Sequence, residues 1–307
     1  ELDVRQSGNL VPKTADEDSS IPSISVNNTV LHAEAFGNSS DPMVVALHGG
    51  PGSDYRVQLS LKDLVSDGYY VVFYDQRGSG LSKRHAKSSY TIDTMVDDLE
   101  AVIAHYRTSP GQKVFLAGQS WGSMLATAYM NEFPPRISGA ILVEPGGFTY
   151  AQVKEFISKE HSAKFFNEGS SDVLYSDQFL TGKENDHAVL DYKVALAASH
   201  DTEPGNALGN AGPYPFWRYG AVVNRALFEL VERDGFDFTT NLSQYETKVL
   251  VVYGGLNTAY SQQWAEKISS PYPHVQIEKI DGSGHEVYYF GWNKLYPIAL
   301  NYLNALK

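Results

Sequence analysis

With 307 residues, 42% of them hydrophobic, the chain can bury a sizeable core in one large α/β domain or two ordinary ones. Its 36 acidic against 24 basic side chains give a formal charge of −12, which argues against binding phosphate backbones, an affinity supplied by Lys and Arg. Cysteine is absent, which excludes disulfides, thiol catalysis and Cys-ligated metals, and no apolar run reaches the ~20 residues of a membrane span.

Residues 1–23 are polar, with an acidic Asp16-Glu17-Asp18 cluster, and read as an extension that frays or packs along the outside. Beginning without Met, this segment leans toward the mature N-terminus of an exported protein. Ile24 to Phe36 predicts a hairpin turning at Asn27-Asn28. Met43–Leu47 and Tyr69–Tyr74 are continuous apolar runs, the pattern of strands buried on both faces, with a helix between them over Val57–Val65. The first strand ends in His48-Gly49-Gly50-Pro51-Gly52, the second in Asp75-Gln76-Arg77-Gly78. Thr91 caps a helix whose apolar face is Ile92, Met95, Val96, Leu99, Val102, Ile103 and Tyr106.

A strand over Lys113–Ala117 then meets Gly118-Gln119-Ser120-Trp121-Gly122 and a helix stopped by Pro134-Pro135. This is the strand–turn–helix setting of a nucleophile elbow. Ile137–Val143 gives the next strand, ending in Glu144-Pro145-Gly146-Gly147. From 150 to 245 the alternation breaks into helical pieces, 151–166 and 220–233 among them, with aromatics gathered at Phe216, Trp217 and Tyr219. Strands resume at Val249–Tyr253 and Val275–Ile280, and an amphipathic helix closes the chain. The organisation is therefore 1–23 extension, 24–149 first part of an α/β core, 150–245 helical cap, and 246–307 second part of the core. The core is a mostly parallel central sheet flanked by helices.

Functional groups of such a sheet collect at the carboxyl ends of its strands. Those ends carry His48-Gly49-Gly50, Asp75-Gln76-Arg77, Ser120, Glu144, Asn257 and His285. Acyl transfer needs a nucleophile, an imidazole base, a group that orients the base, and donors for the oxyanion. Ser120 is the candidate nucleophile. Of nine histidines, only His285 follows the last strand in a Gly-rich loop able to aim a ring at Ser120, while His48 suits a loop-stabilising role. Backbone N–H groups of Gly50 and Trp121 are the candidate oxyanion donors. No metal and no organic cofactor is needed for this chemistry.

His48-Gly49-Gly50-Pro51-Gly52, Asp75-Gln76-Arg77-Gly78-Ser79-Gly80 and Gly118-Gln119-Ser120-Trp121-Gly122-Ser123 stand in the order and spacing of proline iminopeptidases. The resemblance implies the α/β-hydrolase fold, a serine nucleophile and aminopeptidase activity on an N-terminal Pro or small apolar residue. It covers about 24–147 and 247–306 and is weak across the cap. Two departures stand out. The position where the family carries the acid of its triad is Asn257 here, so Asn257 is an alternative third member. Asn can hold a ring but cannot stabilise an imidazolium.

Glu144, at the strand next after the elbow helix, is the carboxylate proposed instead, as in haloalkane dehalogenase-like members of the fold. Glu286 and Asp281 are weaker rivals, and loss of catalysis with Asn257 as its mark is a further alternative. The second departure is in the cap. The family binds the substrate's amino group with cap carboxylates, and Arg218-Tyr219-Gly220 offers none. Glu203, Gly49, Trp217 and Tyr219 are the substrate-binding candidates. The expected partner is a small-molecule or short-peptide substrate, with no nucleic acid and no membrane span, in a monomer or weak homo-oligomer. A carboxylesterase or lactonase is the alternative activity, and a non-catalytic ligand-binding homologue the alternative class.

Overall fold

The computed structural model describes residues 10–160, 186–198 and 207–307. Eight strands form one sheet in the order β1-β2-β4-β3-β5-β6-β7-β8. They are β1 Ser23–Val26, β2 Thr29–Phe36, β3 Met43–Leu47, β4 Tyr70–Tyr74, β5 Val114–Gln119, β6 Gly139–Val143, β7 Val249–Gly254 and β8 Val275–Ile280. The first two are antiparallel to each other, and β2 to β4; every pair from β4 through β8 is parallel. The hairpin turns at Asn27 and Asn28, whose φ values of 44° and 60° are the left-handed pair that a tight turn between twisted strands requires. Strands β3 to β7 are buried along their whole length, which is why they read as unbroken apolar runs.

Helices cover both faces of the sheet: α1 Ile92–Tyr106, α2 Trp121–Glu132, α3 Tyr150–Glu160, α4 Asp186–Ala198, α5 Ala221–Asp234, α6 Gln262–Ser269, α7 Val287–Phe290 and α8 Trp292–Leu306. One core lies under α1, α2, α3, α5 and α6. The other lies between the opposite face and α7, α8 and a 3-10 segment, Tyr55–Asp67. That segment runs two residues beyond the predicted helix at each end. Asp54 accepts the Arg56 N–H at its start, and Gly68, with φ 77°, closes it in the left-handed region. The α1 cap is as the sequence predicts, with Thr91 Oγ1 accepting from Thr94 N at 3.1 Å. The predicted 151–166 helix is described as far as Glu160, its remainder lying outside the described residues.

The polar N-terminal segment packs down from its second half. Thr14 and Ala15 are buried, Ala15 N donates to Leu81 O at 2.7 Å, and Pro12 O accepts from Arg218 at 2.8 Å. Arg218 and Arg84 both donate to Asp191 Oδ2 on α4, at 2.7 and 2.9 Å, and Asp191 Oδ1 accepts the first N–H of α5. These contacts join the N-terminal segment, the loop after β4 and the chain between β6 and β7. The Asp75-Gln76-Arg77 run is structural in its outer members. Asp75 accepts from His32, Tyr55 N and Leu81 N, and Arg77 grips Asp98 through two hydrogen bonds of 2.7 and 2.8 Å.

Candidate active site

Ser120 follows the last residue of β5 and precedes α2, and its backbone sits at φ 51°, ψ −117°, a conformation that non-glycine residues adopt only under constraint. The constraint is visible on both sides. A side-chain carbon on Gly122 would lie 1.9 Å from the Leu47 carbonyl oxygen, and one on Gly118 would lie 2.5 Å from Ser123 N. Only glycines let β5 and α2 close this tightly. Ser120 N donates to Val143 O at 2.8 Å, and the residue is half-buried where every residue of β5 before it is buried.

Glu144 follows the last residue of β6 with φ 44° and is fully buried. Its Oε1 accepts from Gly254 N at 2.7 Å, and its Oε2 accepts from His285 Nδ1 at 2.5 Å and from Asn257 Nδ2 at 2.7 Å. The ring nitrogen is thus taken by Glu144. Asn257, weighed from sequence as an alternative partner, sits beside the carboxylate instead, with its Oδ1 accepting from Ala259 N at 3.0 Å. Glu144 hangs from β6 and His285 from the loop after β8, two strands away in the sheet. The loop after β7 fills the interval and, with the end of that strand, supplies two of the three donors. Asp281 is exposed and pairs with Lys279, away from this contact.

The His285 loop is held from three directions. His285 N donates to Leu208 O at 2.8 Å, Gln119 Nε2 donates to His285 O at 2.7 Å, and Glu286 N donates to Asn210 Oδ1 at 2.9 Å. The two side chains lie 76 and 166 residues from their partners, and nothing local in the sequence marks them.

Across from the ring, His48 is completely buried and organises the loop after β3. Its Nε2 accepts from Gln76 N at 2.9 Å, so Nδ1 carries the proton and donates to Gly49 O at 2.9 Å. Burial pushes its pKa down, favouring this neutral form. Gln76 returns one hydrogen bond to His48 O and accepts another from the Trp121 indole, at 2.9 and 2.8 Å. The Gly49-Gly50 backbone is thereby fixed against Trp121. A side-chain carbon on Gly49 would lie 3.3 Å from Ser120 Cβ. Trp121 is the first residue of α2, where a backbone N–H has no intrahelical acceptor.

A cleft opens over Ser120, with Gly50, Pro51, Trp121 and Met124 at its base. Val153, Phe156 and Ile157 of α3 face Leu227, Phe228 and Val231 of α5 across it. No charged side chain lines it among the described residues. The i, i+3, i+4 spacing of the α3 residues is a helical stripe legible in the sequence, but which way it faces is not. Trp217 does not line the cleft; it packs on His32 and Tyr55, with ring centroids 5.2 and 4.9 Å away. Tyr219 lies over the loop after β3, its hydroxyl 3.3 Å from Pro51 O. Glu203 lies outside the described residues. Asp54, which sequence reasoning passed over, is buried and accepts from Arg56 N, Trp217 N and Arg218 N. Burial, reinforced by the nearby Asp75, pushes its pKa up to about 7.

Among the described residues no group of three His, Asp or Glu could hold a metal ion, and no helix is long and apolar enough to cross a membrane. A constrained serine at the foot of an apolar cleft and an imidazole backed by a carboxylate are the groups from which acyl transfer draws its nucleophile and base.

Comparison with known proteins agrees with this architecture. A proline iminopeptidase of Thermoplasma volcanium is 41% identical over 99 residues, 32% of this chain and 33% of that protein, so the match spans a third of the relative. One from Lactobacillus delbrueckii subsp. lactis is 26% identical over 276 residues, covering 84% of this chain and 89% of the relative. The solved proline iminopeptidase-related protein of Thermus thermophilus superposes with a TM-score of 0.63 at 21% identity, over 93% of this chain and 97% of that one. An enol-lactonase from Burkholderia xenovorans superposes equally, at 0.63 and 15% identity, over 92% of this chain and 100% of that one. These likenesses show the α/β-hydrolase fold. The model of the family described as serine aminopeptidase, S33, matches residues 38–197, more than half of the chain, and the chain belongs to that family.

Proposed function

We propose that the chain is a serine hydrolase working through an acyl-enzyme, with Ser120 as nucleophile, His285 as base and Glu144 as the carboxylate that orients the ring. The observation that carries this reading is the 2.5 Å contact between Glu144 Oε2 and His285 Nδ1 at the sheet edge where Ser120 heads the cleft. With Nδ1–H given to the carboxylate, Nε2 takes the hydroxyl proton as Ser120 Oγ attacks the acyl carbon. The N–H groups of Gly50 and Trp121 receive the oxyanion. Collapse of the tetrahedral intermediate expels the leaving group, which takes the proton from His285. Water activated by the same ring then releases the acid. The described helices α3 and α5, from the 150–245 segment read as a cap between core segments 24–149 and 246–307, wall the cleft.

For the substrate, the named relatives support an aminopeptidase that releases an N-terminal Pro or small apolar residue. A pyrrolidine ring or short side chain suits the apolar cleft. The same cleft also favours a second reading, a carboxylic ester or lactone, because its described walls offer no charge to a free amine. A fluorophosphonate probe should label Ser120 and spare Ser120→Ala; absence of labelling would leave a non-catalytic ligand-binding homologue. Prolyl and alanyl anilides set against short p-nitrophenyl esters separate the two substrates. Ester turnover with no amide turnover ends the peptidase reading.

A further inference from the structure

The loop after β3 bears Gly50, whose N–H is one of the two proposed oxyanion donors. Gly49, Gly50 and Gly52 give this loop unusual backbone freedom, so its external ties decide where that N–H points. On the core side, His48 Nδ1 donates to Gly49 O at 2.9 Å, and that carbonyl belongs to the same peptide as the Gly50 N–H. On the outer side the loop meets the chain that leads into α5. Gly220 N donates to Gly52 O at 2.7 Å, and Asn224 Nδ2 donates to Pro51 O at 2.7 Å. The Tyr219 hydroxyl donates to the same Pro51 carbonyl at 3.3 Å while accepting from Asn224 Nδ2 at 3.2 Å. Pro51 is buried, and a buried carbonyl needs a donor; here two side chains supply it across 168 and 173 positions.

The approach is close as well as bonded. Gly52 has φ 106°, and a side-chain carbon on it would lie 2.6 Å from Gly220 O and 3.3 Å from Asn224 Cβ. Loop and helix start therefore pack backbone to backbone, and a shift of one is passed to the other. Asn224 also stands on the face of α5 that walls the cleft. Leu227, Phe228 and Val231 follow it at i+3, i+4 and i+7, positions that share one side of a helix. One helix face thus carries a wall of the cleft and a tie to the loop that bears Gly50.

We propose that Asn224, assisted by Tyr219, is a positioning residue that holds the Gly50 N–H toward the oxyanion by fixing the Pro51 carbonyl. The proposal rests on the hydrolase reading above and gives α5 a part in turnover besides contact with substrate. Pro51 has its own φ fixed by its ring, so pinning its carbonyl leaves little freedom for the peptide just before it. Asn224 acts through this loop, and its effect falls where the oxyanion forms, in the transition state rather than in the bound substrate.

The test compares wild type with Asn224→Leu, which keeps the side-chain size and removes the donor. On p-nitrophenyl butyrate kcat should fall about ten- to hundredfold with KM held within about twofold, short of the loss seen when an oxyanion donor is removed outright. Butyl trifluoromethyl ketone reads the same donor without turnover. Ser120 Oγ adds to its carbonyl carbon, the hydroxyl proton passes to His285, and the carbonyl oxygen becomes the oxyanion. Its inhibition constant should rise by the factor that kcat falls, while that of butyl methyl ketone, bound without an adduct, should stay within about twofold. A loss carried by KM, equal weakening of both ketones, or an unchanged kcat would overturn the proposal. Should Asn224→Leu not fold, Tyr219→Phe decides: it removes the longer bond to Pro51 and should lower kcat about threefold with the same split between the ketones. An unchanged kcat or a loss in KM alone for that variant would equally overturn it. Failure of the hydrolase reading shows separately, as absence of fluorophosphonate labelling at Ser120 in wild type.

Discussion

Glu144 Oε2 takes hydrogen bonds from His285 Nδ1 and Asn257 Nδ2 at once, at 2.5 and 2.7 Å. The two donors are unequal in consequence. In the proposed mechanism one holds the ring that becomes cationic, and the other only steadies the carboxylate. Glu144→Gln should lower kcat by about 10³ to 10⁴ with Ser120 and His285 intact, the scale expected when a carboxylate behind a catalytic imidazole is neutralised. Asn257→Ala should cost about tenfold or less, since Gly254 N still holds Oε1. Steady-state rates on a short p-nitrophenyl ester, at matched melting temperature, give the comparison; equal effects would refute the ranking.

The elbow should be intolerant of one methyl group. In Gly122→Ala the new carbon would overlap the Leu47 carbonyl, a backbone atom that cannot swing aside. Overpacking of this kind costs on the order of 1–3 kcal/mol or more, so a clear drop in the urea midpoint is expected. Gly111→Ala, where the added carbon meets nothing within 4 Å, is the control and should leave the midpoint in place.

Phe228 lines the cleft yet is 39% exposed, so its truncation separates substrate contact from stability. Phe228→Ala should raise KM for the longer p-nitrophenyl esters about three- to tenfold, leave kcat near its original value and barely change the melting temperature, the pattern of lost uniform binding. An unchanged KM across an acetate-to-octanoate series would remove Phe228 from the acyl wall.

Asp54 gives a pH signature. Its pKa, pushed up to about 7 in the folded protein by burial and by Asp75, lies far above the ordinary value of 3.8. An acid with a raised folded pKa contributes stability that is fully present below the unfolded pKa and is lost as pH rises through the folded one. Wild type should therefore lose stability relative to Asp54→Asn between about pH 4 and 7 and hold a constant difference above that range. Melting temperatures of both proteins from about pH 4 to 8 provide the check; a difference independent of pH would contradict it.

Much of this site is written locally in the chain. Ser120 is marked by the glycines on either side, and Glu144 by its place at the end of an apolar run. His285 is the one histidine following the final strand, and parallel topology brings all three to one edge. What the sequence leaves unread is non-local. Gln119 reaches His285 O across 166 positions, and Asp54 reaches Trp217 N across 163. The direction in which the α3 and α5 stripes face depends on how a long insertion folds back, so Phe156, Leu227 and Phe228 show amphipathic spacing without showing that it walls a cleft. Trp217, an aromatic near the sheet edge, reads equally as pocket or packing, and its edge-on contact with Tyr55 places it in the packing.

Asn257, in the loop after β7, reaches the same Glu144 oxygen that meets the His285 ring. The loop ends after β6, β7 and β8 therefore converge on one buried atom, and the loop after β7 acts as a brace between the other two. A carboxylate placed at position 257 would stand beside Glu144 and repel it, so Asn257→Asp is a poorer exchange in this chain than its small change of shape suggests.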